Sequence, residues 1–224
     1  PISEDAKGTL FSSRDADGWF ERNLKVRAFN PLPDLAELTL TGHLKATRAD
    51  NEQLALAEIG CSRGDRLARL MLAAGGFGFG VDPSTKAIRA GKKLHPNVTF
   101  SIGTAEATGL PQRSVDVVFY GWSLMYVPHD SMAAVKSELS RISRRGTTLA
   151  ILDFDSDRQL ETPYRHSPHI NVFRRDYGRE FDGDGFNLAS KTTLLYPQDG
   201  NRFTTVGVEP EAHKRIALYI FTRR

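Results

Sequence analysis

Leu54-Ala55-Leu56-Ala57-Glu58-Ile59-Gly60-Cys61-Ser62-Arg63-Gly64 is where the architecture can first be read. Its opening apolar run has strand length and closes in a glycine-bearing turn, consistent with a buried strand. Small residues in such a turn let backbone approach a ligand, and the helix that follows offers free N–H groups. By itself the turn is equally a tight strand-to-helix connection. Downstream, a helix is predicted through Leu67, Leu70, Met71 and Leu72, ended by Gly75-Gly76. A second strand covers Phe77 to Val81, and Asp82-Pro83-Ser84 opens a helix to about Leu94, with Pro83 suited to its first turn. Val98 to Ile102 and Val115 to Tyr120 read as the third and fourth strands. Met132, Val135, Leu139 and Ile142 recur at helical spacing; Gly146 is expected to stop that helix, and Thr147 to Leu152 is the fifth strand. Strands alternating with helices predict a doubly wound α/β fold, its mostly parallel sheet covered on both faces.

Upstream, residues 1–50 are polar and uneven and read as a helical arm packed on the core or over its mouth. Trp19 and Phe20 stand among charges, Asn30-Pro31-Leu32-Pro33-Asp34 is a break, and Asp34 can cap a helix through Leu35, Leu38 and Leu44. Past Asp153 the alternation stops. Residues 154–190 are polar and turn-rich, and carry Tyr164, His166, His169, Phe173, Tyr177 and Phe181. Strands at about Ser190 to Tyr196 and Lys214 to Thr222, with loops over Pro197 to Gly200 and Val208 to Ala212, are expected to pair antiparallel at the sheet edge. The expected organisation is one domain over 1–224: arm 1–50, core 54–153, insert 154–190 and closing strands 190–224.

The length of 224 residues suits one domain. Thirty basic against 27 acidic residues leave a formal charge of +3, and no run of five basic residues occurs, so a nucleic-acid partner is not indicated. No stretch is apolar enough to span a membrane, and Pro1-Ile2-Ser3-Glu4-Asp5 lacks the layout of a secretory signal. Cys61 is the one cysteine, so no intrachain disulfide forms and a reducing, cytoplasmic setting is expected. Nothing in the sequence sets an oligomeric state.

Asp82 closes the second strand, 24 residues beyond Glu58. An acidic side chain there can accept both hydroxyls of a ribose, and it can also cap a helix. The two signals together are stronger than either. At this point residues 54–153 resemble the class I S-adenosylmethionine-dependent methyltransferases, in particular the small-molecule type related to quinone C-methyltransferases. Ser62 stands at the middle glycine of the family's acidic-x-Gly-x-Gly-x-Gly pattern. Gly80-Val81-Asp82-Pro83-Ser84 matches the ribose segment, Gly103-Thr104-Ala105-Glu106-Ala107-Thr108-Gly109-Leu110-Pro111 the segment against the adenine, and Ser114-Val115-Asp116-Val117-Val118 the fourth strand.

The resemblance implies S-adenosylmethionine as cofactor and a seven-stranded sheet with an antiparallel C-terminal strand. Carried over, Glu58, Gly60, Cys61, Ser62 and Gly64 face the methionine end or the ribose, and Asp82 holds the ribose. Pro83, Thr104, Ala105 and Glu106 lie by the adenine; Thr104 stands where the family has an aspartate. Tyr120, Gly121 and Trp122 would sit near the sulfonium, where Trp122 is either a cation–π partner or core.

The implied partner is a small-molecule acceptor, methylated on oxygen or nitrogen; a sugar or a secondary or cell-surface metabolite is expected. An oxygen nucleophile can need a base, and His129, His166 and His169 are the candidates, the latter two in the insert. His129 also reads as a surface residue before a helix. No metal is expected: His166-x-x-His169 lacks further ligands, and Asp153-x-Asp155-x-Asp157 has Arg158 and Tyr164 where a calcium loop needs glycine and glutamate. The Asn/Asp-Pro-Pro-aromatic tetrapeptide of many nucleobase and glutamine N-methyltransferases is absent. Ring-carbon methylation of a quinone, a non-catalytic nucleoside-binding module and RNA methylation remain rival readings.

Overall fold

The structure is a computed structural model and describes residues 11–26, 33–49, 53–195 and 215–224. Five parallel strands, β1 (Ala55–Ile59), β2 (Phe77–Asp82), β3 (Val98–Ile102), β4 (Val115–Gly121) and β5 (Ser143–Phe154), lie where the sequence places them. With β8 (Phe186–Leu195) and β9 (Arg215–Arg223) they form a seven-stranded sheet of order β3-β2-β1-β4-β5-β9-β8. β9 runs antiparallel to β5 and β8, the closing arrangement expected from the sequence.

Successive side chains on a strand point to opposite faces, so the central strands feed two cores. Val118, Tyr120, Leu149, Ile151 and Tyr219 pack on one face under α5 (Met132–Ile142), while Val117, Phe119, Ala150, Leu152 and Leu218 pack on the other. That second face is covered by α2 (Leu35–Thr47), α3 (Asp65–Ala74) and Ile88 of α4 (Thr85–Leu94). A strand buried on both faces has no polar alternation, which is why β1, β4 and β5 read as continuous apolar runs.

Several local expectations are corrected. Ser84, not Asp82 or Pro83, caps α4: its Oγ accepts the N–H of Ala87 at 3.0 Å, and Pro83 precedes the helix. Gly146 does not end α5. That helix stops at Ile142, and β5 begins at once because Ser143 pairs with Val115; Gly146, at φ +82°, lies inside β5 where the register shifts. Asp34 caps α2 as expected, accepting Glu37 N–H at 2.9 Å, but Leu38 and Leu72 point outward while Ala36, Leu40 and Leu44 carry the packing.

The turn-rich insert is more ordered than its composition suggests. β6 (Leu160–Tyr164) and β7 (Ser167–Arg174) form a separate hairpin, followed by α6 (Tyr177–Phe181). Tyr177 and Phe181 belong to the main core, not to a substrate surface. β8 starts at Phe186 rather than 190; it is an edge strand with mostly solvated side chains, so hydrophobic pattern does not mark it. The expected break over Asn30, Pro31 and Leu32, the loops at 197–200 and 208–212, and Tyr196 and Lys214 fall outside the described residues.

The arm contributes α1 (Ser13–Val26) and α2. α1 lies against both α4 and the β6–β7 hairpin. Asp17 accepts from Ser84 Oγ at 2.6 Å, Thr85 Oγ1 at 3.2 Å and Lys86 N at 3.0 Å. Asp15 is paired with His169 Nε2 at 2.9 Å. Among the described residues no helix is long and apolar enough to cross a membrane.

Candidate active site

All five parallel strands end on one side, and the chain reverses its winding between β1 and β4. Ligands of open α/β sheets sit at that crevice. The turn after β1 lies there. Gly60, Ser62 and Gly64 have φ of +80°, +52° and +81°. The N–H groups of Gly60 and Cys61 both donate to Val81 O, at 2.8 and 3.1 Å, stitching the turn to β2. Ser62 adopts the left-handed conformation that explains a glycine at this place in the family pattern. That conformation costs a non-glycine residue roughly 1 kcal/mol. Ser62→Gly is expected to raise the melting temperature by roughly 2 °C, once the extra freedom of the unfolded chain is subtracted. A lower melting temperature would mean that the Ser62 side chain contributes more than its backbone strain costs.

Asp82 is 8% exposed at the end of β2. Its Oδ2 accepts Ser62 N–H at 2.7 Å and its Oδ1 accepts Ser84 N–H at 2.8 Å, so one carboxylate joins the glycine turn to the α4 cap. Burial raises its pKa to about 6, against the pull of those two N–H groups. Glu58 is buried beneath the turn. Burial pushes it up to about 7 although Arg66 stands 3.4 Å from Oε1, and Oε2 has no hydrogen-bond partner. Arg66 also lies 3.4 Å from Asp34 and 3.5 Å from Glu37, and Arg69 bonds Glu37 at 2.6 Å, so α2 is tied to the core directly behind Glu58.

The other sequence-derived residues divide by which part reaches the crevice. Thr104, Ala105 and Glu106 form a turn closed by Thr104 N–H to Ala107 O at 3.1 Å, beside Asp82 through Gly103 N–H to Asp82 O at 3.3 Å. Pro83 is half-buried next to them. Two side chains turn away. Cys61 is 5% exposed with its sulfur packed toward β2, and burial, with Asp82 and Glu58 nearby, pushes its thiol well up. Tyr120 is fully buried in the core, so the expectation that its ring sits near the sulfonium is corrected; its parity on β4 points the ring into the opposite layer. Gly121 leaves the space that Arg66 fills: a Cβ there would collide with the guanidinium. Trp122, at φ +62°, packs edge-on to Phe154 with ring centres 5.5 Å apart.

The three histidines do not converge. His129 is exposed on a short turn, 3.2 Å from Gln159. His166 is exposed at the tip of the β6–β7 hairpin, its ring 5.5 Å from Tyr164. His169 faces Asp15 of α1. Asp153, at the end of β5, is buried and accepts the N–H groups of Met125 at 3.0 Å and Phe154 at 2.8 Å; burial raises it to about 7. Among the described residues no group of three His, Cys, Asp or Glu comes together that could hold a metal ion.

Sequence reading missed Asp15, Asp17, Arg66 and the aromatic surface above Asp153. Tyr126, Ile170 and Val172 form its centre, with Phe11, Trp19, Phe154 and Tyr164 packed on it. Only the aromatic content of the insert hinted at it.

A seven-stranded sheet closed by an antiparallel pair, with a glycine turn after β1 and a buried aspartate after β2, defines the class I S-adenosylmethionine-dependent methyltransferases. The family model described as "Methyltransferase domain" matches residues 56–146. Over those residues the chain carries an S-adenosylmethionine-dependent methyltransferase domain, and S-adenosyl-L-methionine is the methyl donor that the family implies. No curated protein matches the chain. Solved structures share the fold at low identity. A chain from the complex of the Haloferax volcanii Trm112 methyltransferase activator is 17% identical at TM-score 0.67, over 95% of this chain and 98% of that one. The Burkholderia thailandensis 1,6-didemethyltoxoflavin-N1-methyltransferase, bound to 1,6-didemethyltoxoflavin and S-adenosylhomocysteine, is 12% identical at TM-score 0.68, over 94% and 86%. A methyltransferase from Methanosarcina mazei is 14% identical at TM-score 0.60, over 77% and 93%.

Proposed function

We propose that the chain moves a methyl group from S-adenosylmethionine to an oxygen or nitrogen of a small molecule bound between α1, the β6–β7 hairpin and the ends of β4 and β5. The observation that carries this reading is the double anchoring of α1. Asp17 holds it at the Asp82 end of the crevice and Asp15 holds it to the hairpin, an arrangement suited to a small acceptor. The similarity to an N1-methyltransferase that binds 1,6-didemethyltoxoflavin supports a small acceptor.

The residues present fit the cofactor. Asp82 has acceptor capacity beyond its two N–H partners for ribose hydroxyls, and the unpartnered Oε2 of Glu58 suits a nearby ammonium. Thr104, Ala105 and Glu106 would flank the adenine. When bound, S-adenosylmethionine supplies an electrophilic methyl group on a sulfonium. The protein's part is alignment and exclusion of water. Both insert histidines are exposed; His169 faces Asp15 and positions α1, which leaves His166 as the one without a carboxylate partner among the described residues. Methylation of a ring carbon is the second reading, favoured by the aromatic surface beside Trp122.

Calorimetric titration tests the reading: S-adenosylmethionine and S-adenosylhomocysteine are expected to bind at micromolar concentration or tighter, and no heat with either would overturn it. The pH dependence follows from Asp82 and Glu58. Ribose hydroxyls and an ammonium prefer the ionised carboxylates, whose pKa values in the free protein are raised to about 6 and about 7. Affinity is therefore expected to fall as pH drops through this range, by up to about tenfold per unit for each proton taken up. S-adenosylhomocysteine titrations between about pH 5 and 7.5 check this, and a flat profile would contradict it.

A further inference from the structure

Resting on the methyl-transfer reading, we infer that the acceptor is a flat aromatic molecule carrying an anionic group, held between stacked side chains and the guanidinium groups of Arg22 and Arg174. The aromatic surface begins at Trp122, at the end of β4. Its ring meets Phe154 at 5.5 Å. Phe154 packs on the cluster centred on Tyr126, whose ring lies 5.5 Å from Tyr164 at the end of β6. This aromatic cluster thus runs from the crevice to the hairpin; Phe11 stacks on Tyr126 at 4.4 Å within it, which shows that the cluster accepts a planar group.

Two cations sit on it with no ion-pair partner within 4 Å among the described residues. Arg174 of β7 stacks on Phe154 with its guanidinium carbon 4.6 Å from the ring centre. Its Nη1 donates to Thr162 Oγ1 at 3.0 Å, but Nε is buried with no acceptor. Arg22 of α1 lies 5.9 Å from the centre of Tyr164, and its Nε and Nη2 are both buried and unpartnered. Gly18, one turn earlier in α1, leaves room for it: a Cβ there would stand 3.2 Å from Arg22 Nη1. Neither arginine forms an ion pair among the described residues. The carboxylate of Asp153 acts on Arg174 from beyond ion-pair distance while it accepts the backbone N–H groups of Met125 and Phe154.

Buried guanidinium donors without acceptors are costly, and folded proteins rarely leave them so. Three such donor nitrogens on two arginines, whose guanidinium carbons lie 5.9 and 4.6 Å from ring centres of one cluster, match a carboxylate or similar oxyanion joined to an aromatic ring. A neutral sugar or a neutral ring would leave the guanidinium groups without an anionic partner.

Protein saturated with S-adenosylhomocysteine would be titrated with 4-hydroxybenzoate, salicylate and anthranilate. The methyl ester of each, and cyclohexanecarboxylate, serve as controls. At least one aromatic acid is expected to bind at least about tenfold tighter than its ester and than cyclohexanecarboxylate. Arg22→Gln and Arg174→Gln are each expected to weaken that acid about tenfold or more while S-adenosylhomocysteine affinity stays within about twofold. Arg174→Lys, which keeps the charge without the plane, is expected to fall between, and its cofactor affinity reports whether the site still folds. Esters binding as well as acids, the aliphatic acid matching the aromatic ones, or no acid binding would overturn the inference. Loss of S-adenosylhomocysteine binding by the unaltered protein would instead strike the methyl-transfer reading beneath it.

Discussion

Asp82→Ala is expected to weaken S-adenosylmethionine binding by about 100-fold or more. A hydrogen bond to a charged group contributes about 1.5–3 kcal/mol, and tenfold in affinity is about 1.4 kcal/mol, so two ribose contacts are worth roughly two to four powers of ten. The same carboxylate accepts Ser62 and Ser84 N–H groups, and both would be left without it. Two orphaned donors cost about 2–6 kcal/mol, so the melting temperature should fall by roughly 5 °C or more. Asp82→Asn separates the effects. It keeps the size and one acceptor oxygen but presents an N–H₂ group to one backbone N–H, so it should melt higher than the alanine variant while still binding poorly. A lower melting temperature with undiminished cofactor affinity would reduce Asp82 to a brace between two loops.

Gly60→Ala carries the second large effect, and Gly185→Ala is its control. Their φ angles are +80° and +81°, both on the left-handed side, so the backbone cost of an alanine is roughly 1–2 kcal/mol at each. The surroundings differ. A Cβ on Gly185 meets nothing within 4 Å, whereas one on Gly60 would collide with the Cβ of Ser123 and stand 3.1 Å from its Oγ. Ser123 cannot easily retreat, because its Oγ donates to Ile59 O at 2.9 Å. Overpacking of this kind adds about 1–3 kcal/mol. Gly185→Ala should lower the melting temperature by about 2–6 °C and Gly60→Ala by roughly 5–15 °C, with cofactor affinity reduced tenfold or more for Gly60→Ala alone. Equal melting temperatures would show that the turn relaxes away from Ser123 at little cost.

The parallel half of the sheet was legible because its strands are short apolar runs separated by amphipathic helices, and both signals are local. The glycine turn and Asp82 were legible for the same reason: each occupies a fixed place at the end of a strand. The insert was not. Its hairpin and the edge strand β8 are mostly solvated, so their pairing leaves little hydrophobic pattern, and Tyr177 and Phe181, which look like ligand-facing aromatics in a polar stretch, are core residues. His129, His166 and His169 were separate candidates for a base, and the backbone spreads them over a turn, a hairpin tip and a contact with α1.

The sequence by itself determined the class of fold, the glycine turn after β1 and the carboxylate at the end of β2, because alternation of period and a strand-end position are written in neighbouring residues. Tertiary structure decided which side chains face the crevice and what they meet. Pleat parity turned Tyr120 into the core, and burial left Glu58 Oε2 without a partner. The pairing of Asp15 with His169 and of Asp17 with Ser84 joins residues 154 and 67 positions apart. Hydrogen bonds and orphaned donors of that kind depend on which surfaces packing brings within about 3 Å, and no local periodicity encodes it.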